Sequence, residues 1–134
     1  MKKITIKFIE HFSKPPILTK VEDTNIIKIT IEHPICPLSK KSKKKRYSKL
    51  TATIEGEAIL IGYIESFYEN RGFGGKMLTK LINYAKENNY KAITGNLNGN
   101  DEKLFYFYTK YGFQILSNED SCFPYKILLE INLM

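Results

Sequence analysis

Three glycines, Gly72, Gly74 and Gly75, stand where an apolar run gives way to a helical pattern. Ala58, Ile59, Leu60, Ile61, Tyr63 and Ile64 read as a buried strand, because short β-rich apolar runs fit strands better than helices. Beyond the glycines, Phe73, Met77, Leu78, Leu81, Ile82 and Ala85 recur at helical spacing, while Lys76, Lys80, Asn83 and Lys86 take the opposite face. Glycines there let a ligand approach the backbone, and the first orphan amides of the helix point outwards. Those amides and the positive end of the helix dipole suit an anion such as a pyrophosphate. Register excludes two phosphate motifs. The dinucleotide fingerprint wants Gly or Ala three residues after Gly74, where Met77 stands, and the nucleotide-triphosphate loop wants Ser or Thr after Gly75-Lys76, where Met77 stands again. A glycine turn is also ordinary punctuation of an α/β chain, so the surrounding elements must decide.

Those elements follow from the patterning. Residues 3–9 alternate through Ile4, Ile6 and Phe8, which predicts a first strand. His11 to Asn25 contains Pro15-Pro16 and shows no helical period, so it reads as extended or turning chain. Residues 25–33 (NIIKITIEH) predict a second strand ended by Pro34 and Pro37, and residues 47–55 (YSKLTATIE) a third. Glu55-Gly56-Glu57 turns tightly into the fourth. After the central helix, Asn88-Asn89 supplies a left-handed stop. Residues 91–97 predict a fifth strand, parallel to the fourth because a helix joins them. Asn98-Gly99-Asn100 turns. Asp101 suits an N-cap with Glu102 at the dipole, and Leu104, Phe105, Tyr108 and Tyr111 line the inner side of a helix that Gly112 ends. Residues 113–116 and 125–133 predict an antiparallel closing pair around the polar segment 117–121.

The whole chain sets bounds. Its 134 residues suit one domain over residues 1–134, and an apolar fraction of 43% and an aromatic fraction of 13% belong to a globular protein. No apolar run approaches the ~20 residues of a membrane span, and the start resembles no secretory signal, so a cytoplasmic setting is expected and a membrane partner is not. Cys36 and Cys122 are too few for a disulfide framework. His33 and Cys36 lack a second ligand pair, so no metal is expected. The net charge of +7 is concentrated: without Lys40, Lys41, Lys43, Lys44, Lys45 and Arg46 it would be +1. That loop is a solvated run, or it attracts an anionic substrate, a cofactor or a nucleic-acid backbone. No base-reading motif accompanies it, which argues against nucleic acid as the partner.

Glu69-Asn70-Arg71-Gly72-Phe73-Gly74 resembles the acyl-CoA loop of the GNAT N-acetyltransferase superfamily: Gln or Arg, two residues, Gly, one residue, then Gly or Ala. Gly75-Lys76-Met77-Leu78 continues as that family's helix does, and Glu69 departs from the usual Gln or Arg. Asp101 to Phe113 (DEKLFYFYTKYGF) resembles the family's later helix, with Asp101 where Asn is common. The two motifs come in the family's order, within residues 58–116. The resemblance implies an α/β (α+β) fold: one GNAT-like domain with a mixed, mostly antiparallel sheet of about six to seven strands. Its fourth and fifth strands would be parallel and splayed, with helices at about 72–88 and 101–111 and the early family helices reduced. It also implies acetyl-CoA as cofactor and transfer of the acetyl group to a primary amine by direct attack in a ternary complex. By position, Gly62, Tyr63 and Ile64 would pair with the pantetheine arm. The amides from Glu69 through Asn70, Arg71, Gly72, Phe73 and Gly74 to Gly75 would wrap the pyrophosphate, with Arg71 and Lys76 within reach of phosphates and Asp101 beside the cofactor. Tyr108 takes the family position of the acid that meets the leaving thiolate; a tyrosine there is otherwise core. The base is open between Glu57, at the start of the fourth strand, and Glu65, at its far end, with Glu55 more solvated and water alone as a further route. His11 and His33 fall in weakly patterned regions and carry no assignment. An alternative is an inactive acyl-CoA-binding module that regulates a partner protein. The acceptor is expected to bear an amine and, from the basic loop, to lean anionic. A second subunit, in a homodimer, could complete the acceptor wall that the early segment leaves short.

Overall fold

The computed structural model describes residues 2–35, 46–68, 71–97, 102–117 and 125–131, with side chains from residue 7 onward. Alternation accounts for the long strands. In β2 (Ile26–His33), Ile27, Ile29, Ile31 and His33 are buried, and in β3 (Arg46–Glu55), Ser48, Leu50 and Ala52 are buried. Their partners at the even and odd positions respectively face outwards, as a strand with one covered face requires. The two pair antiparallel from Ile26↔Thr53 to His33↔Arg46. A turn with Gly56 at φ +60° leads into β4 (Ala58–Glu65). Glycine adopts that backbone without strain.

Helix α2 (Phe73–Glu87) covers the buried face of β2 through β5 with Phe73, Met77, Leu78, Leu81 and Ala85. Each such large apolar side chain contributes roughly 1.5–3 kcal/mol through burial. The chain then returns as β5 (Ala92–Leu97), parallel to β4, so the strand–helix–strand connection is the expected one. Helix α3 (Glu102–Lys110) precedes the antiparallel pair β6 (Gln114–Ser117) and β7 (Tyr125–Glu130). The seven strands form one sheet in the order β1-β2-β3-β4-β5-β7-β6.

The amino terminus departs from the sequence reading. Residues Lys2–Phe12 form helix α1, not a strand. The alternation of Ile4, Ile6 and Phe8 is a three-residue match, and Ile9 breaks it. The helical period places Ile9 in the core at 1% exposure, and it brings the rings of Phe8 and Phe12, one turn apart, to 4.8 Å. Tertiary burial of one face outweighed local strand propensity. The first strand, β1 (Ile17–Lys20), instead follows the proline pair and forms a sheet edge against β2. Pro16 just before an edge strand removes no ladder hydrogen bond. One helix therefore stands where the family resemblance led us to expect reduced early helices.

Candidate functional site

Strands β4 and β5 pair only from Ala58↔Ala92 to Ile61↔Gly95. Beyond that point β4 runs on to Glu65, while Asn96 and Leu97 of β5 pair with β7 alone. A bulge marks where they part. Thr51 pairs with Tyr63 and Ala52 with Ile61, so Gly62 is the extra residue in β4. Bulges bend and twist the strand that carries them. A Cβ at Gly62 would lie 3.1 Å from the Thr51 carbonyl oxygen, which is why glycine fits there. Over Gly62, Tyr63 and Ile64 the edge of β4 that faces β5 therefore has no strand partner among the described residues.

The same end of β4 feeds the glycine turn. Gly72 sits at φ +81°, ψ +4° and starts α2 with no side-chain cap. The first helical bond runs from the Lys76 amide to the Gly72 carbonyl, at 3.1 Å. Ahead of it, helix geometry leaves the amides of Phe73, Gly74 and Gly75 without intrahelical acceptors. Helix α3 crosses this mouth. A Cβ at Gly74 would touch the Phe107 ring at 3.5 Å and the Ser66 Oγ at 3.4 Å, whereas one at Gly75 would fall 1.8 Å from the Tyr111 hydroxyl. A cavity of about 380 Å³ opens here, lined among others by Pro16, Gly72, Gly75, Lys76, Lys80 and Tyr111. Lys76 and Lys80 give it positive charge. Arg71 Nε lies 3.8 Å from Glu10 of α1, with both side chains over 40% exposed. Glu69, Asn70 and Asp101 lie outside the described residues.

Tyr108 is 6% exposed, in contact with the rings of Phe107 and Phe113. Burial pushes its pKa up to about 12. Its hydroxyl makes no hydrogen bond among the described residues and is free to donate. The two candidate bases lie at opposite ends of β4. Glu57 is in the β3–β4 hairpin, ion-paired with Lys91 at 3.0 Å and largely solvent-exposed. Glu65 is at the parted end, opposite Lys49 in the β3 register. Eight residues of strand place the two carboxylates roughly 25 Å apart along the chain. The structure thus gathers Gly62, Tyr63, Ile64, Glu65, Gly72, Phe73, Gly74, Gly75 and Lys76 around one end of β4, and leaves Glu57 and Glu55 at the other.

The sequence reading missed one buried cluster beside this turn. His33 is fully buried, with its ring 4.4 Å from Phe73 and 5.1 Å from Tyr68. Nδ1 lies 2.7 Å from Ser13 Oγ, and Nε2 lies 2.7 Å from Ser48 Oγ. Burial lowers its pKa from the usual 6.5. Parity held the signal: His33 continues the buried series Ile27, Ile29, Ile31, and Ser48 continues Leu50 and Ala52. Among the described residues no group of three or more His, Cys, Asp or Glu side chains could hold a metal, and no helix is long and apolar enough to cross a membrane.

No family profile and no curated protein matches the sequence. Solved structures do match. The PaiA N-acetyltransferase of Thermoplasma acidophilum, in complex with coenzyme A, superposes with a TM-score of 0.61 at 12% identity over 80% of this chain. This chain spans 62% of that protein's length. A GNAT-family acetyltransferase of Elizabethkingia anophelis with acetyl-CoA bound gives a TM-score of 0.60 at 18% identity, covering 80% of this chain and 77% of its own. The ribosomal-protein-S18-alanine N-acetyltransferase of Escherichia coli gives 0.60 at 12% identity, covering 98% and 88%. Such identities speak for architecture alone. With a seven-stranded mixed sheet, a parallel β4–β5 pair that parts and a glycine turn opening α2, this chain has the fold of the GNAT-type N-acetyltransferases.

Proposed function

We propose that this chain is an N-acetyltransferase that moves an acetyl group from acetyl-CoA to a primary amine of a small molecule or protein, by direct attack in a ternary complex. One observation carries the reading: β4 and β5 separate past Ile61–Gly95, at the end where β4 delivers the glycine turn to the uncapped start of α2. The residues there fit the cofactor. The free edge of β4 over Gly62–Ile64 supplies backbone donors and acceptors for an amide-bearing arm. Gly72, Gly74 and Gly75 keep Cβ atoms away from the amides that would hold a diphosphate, and Lys76 adds a cation. Coenzyme A bound to one structure of this fold and acetyl-CoA bound to another support the assignment.

When bound, acetyl-CoA supplies an activated acyl thioester. The protein's tasks are to present a neutral amine and to stabilise a departing thiolate. Tyr108 serves the second task, its hydroxyl having no hydrogen-bond partner among the described residues. A thiol near pKa ~8.5 is a much stronger acid than a phenol held near 12, so full proton transfer from Tyr108 is uphill by about 5 kcal/mol. Tyr108 therefore donates a hydrogen bond to the developing thiolate, and solvent completes the protonation. Glu65, at the parted end of β4, is the better placed of the two carboxylates to take a proton from the amine, directly or through water. Glu57 is held by Lys91 at the wrong end of the strand. The acceptor bears a primary amine, and the basic run at 40–46 favours one that also carries an anion. A homodimer would supply a second wall to the acceptor side.

Titration calorimetry with coenzyme A, followed by acetyl-CoA turnover against a panel of amines with Tyr108→Phe as control, tests this reading. Binding and turnover that collapses in the variant are expected. No heat with coenzyme A overturns the assignment, and binding without turnover on any amine replaces it with an acyl-CoA-binding module that regulates a partner.

A further inference from the structure

Four segments distant in sequence meet at His33. Ser13, one residue past α1, donates its hydroxyl proton to the Ile9 carbonyl, so its Oγ accepts a proton from His33 Nδ1–H. That leaves Nε2 as the acceptor for the Ser48 hydroxyl, and Ser48 Oγ in turn accepts the amide of Phe67, at 3.1 Å. The Ile9 carbonyl also accepts the Ser13 amide, at 2.9 Å, and the neutral imidazole protonated at Nδ1 is the tautomer that gives both ring nitrogens and both hydroxyl protons a partner. Phe67 is two residues past β4. On the other side of the ring stands Phe73, first residue of α2, at 4.4 Å. The imidazole thus touches both flanks of the glycine turn, through a hydrogen-bond chain on one side and a ring contact on the other.

We propose that His33, held between Ser13 and Ser48, is a positioning residue for the cofactor: its neutral ring fixes the flanks of the turn whose amides receive the diphosphate. The proposal rests on the acetyl-CoA reading above. A proton added at Nε2 turns the acceptor into a donor facing Ser48. The Ser48 hydroxyl then loses its acceptor, and the Phe67 amide must share Ser48 Oγ with a second donor. Among the described residues, the charged or titratable groups in contact with this cluster or paired beside it include Arg46 on β3, with its guanidinium over Phe67 at 4.6 Å, Tyr68 in the turn, Glu10 of α1 paired with Arg71, Lys14 paired with Glu32, and Lys76 on α2 over Phe73. None of them is what depresses the ring's affinity for a proton; burial is. Acidification is therefore transmitted to the turn through the hydrogen-bond chain.

The probe is dephospho-coenzyme A, which lacks the phosphomonoester that itself titrates near pH ~6. Its Kd, measured by calorimetry on the intact chain from about pH 7.5 down to 5.5, is expected to rise as His33 protonates, with a log Kd slope of at most about one for one linked proton. Nitrogen-15 spectra should show the Nδ1–H tautomer at neutral pH and report the titration directly. His33→Gln is expected to bind more weakly but without the pH dependence. Ser48→Ala, which keeps the imidazole, should lower the exchange protection of the Phe67 amide. A Kd that stays constant while His33 demonstrably protonates overturns the proposal, as does the same pH dependence in the glutamine variant. Should His33→Gln fail to fold, the wild-type titration and Ser48→Ala decide alone. Should the wild type not bind the probe at about pH 7.5, the transferase reading falls instead. The brace is then judged by whether Phe67 protection drops on protonation of His33, unchanged protection refuting it.

Discussion

Substituting Gly75 with alanine tests how closely α3 crosses the mouth of α2. The added Cβ would fall 1.8 Å from the Tyr111 hydroxyl and 2.8 Å from its Cζ, distances at which something must move. The backbone of α2 is fixed by Phe73, Met77 and Leu78 in the core, so Tyr111 must yield. Its ring then gives up contact with Phe107, now 5.4 Å away between centroids. Overpacking of this kind costs about 1–3 kcal/mol, and exchanging glycine for alanine in a helix returns up to about 1. A net loss of up to about 2–3 kcal/mol follows, with Tm lower by roughly 3–4 °C for each kcal/mol in a domain of this size. In a Tyr111→Ala background the obstruction is gone, so the same Gly75→Ala change should be neutral or stabilising. The coupling in the double-mutant cycle is then about 2 kcal/mol. Urea unfolding followed by far-ultraviolet circular dichroism is the assay, since the chain has no tryptophan to report by fluorescence. An equal cost in both backgrounds would falsify the packing argument.

Tyr108→Phe should lower turnover roughly a hundredfold or more while leaving the coenzyme A Kd unchanged, and with the phenol held up to about 12 the wild-type rate should show no tyrosine-dependent loss through the alkaline range below it. Gly72→Ala meets no neighbour within 4 Å, so its cost is that of φ +81° alone, about 1–2 kcal/mol by urea unfolding, and Gly72→Asn should recover part of it. Because burial lowers the His33 pKa below 6.5, the folded state binds fewer protons than the unfolded one, and stability is complete above about pH 6.5 and declines as pH falls towards the lowered native value. The unfolding free energy from denaturant titrations across that window should fall by at most about 1.4 kcal/mol per pH unit from this group, and His33→Gln should flatten the profile.

The elements with long, regular patterns were legible. The burial series of β2 and β3, the helical stripe from Phe73 to Ala85 and the parallel β4–β5 pair all follow from period and connection length. So does the position of the glycine turn, because the glycines fall where the strand pattern gives way to the helical one. Two things were not legible. Residues 3–9 carry too short an alternation to outvote a helix whose Ile9 finds the core. The β4 bulge at Gly62 decides where the strands part, yet a single glycine in an apolar run carries no sign of which neighbour it will let in. The placement of the carboxylates, by contrast, was legible: Glu57 precedes the fourth strand and Glu65 ends it, on the side where the glycine turn follows in sequence.

Helix α1 in place of a first strand changes what supports the turn. It reaches the turn twice, once through the Glu10–Arg71 pair and once through Ser13, His33 and Ser48 to the Phe67 amide. The two links differ in strength for a physical reason. An ion pair at 3.8 Å between side chains over 40% exposed is screened by water and salt and contributes a few tenths of a kcal/mol. His33 and Ser48 are fully buried, so breaking the bond between them strands a buried donor or acceptor at a cost of about 1–3 kcal/mol, while the outer links to Ser13 and the Phe67 amide are part-buried. Burial, not formal charge, therefore decides which link holds the turn in place. By the same reasoning, raising the salt concentration should leave the geometry of the turn unaltered, while a single proton delivered to the ring should disturb it.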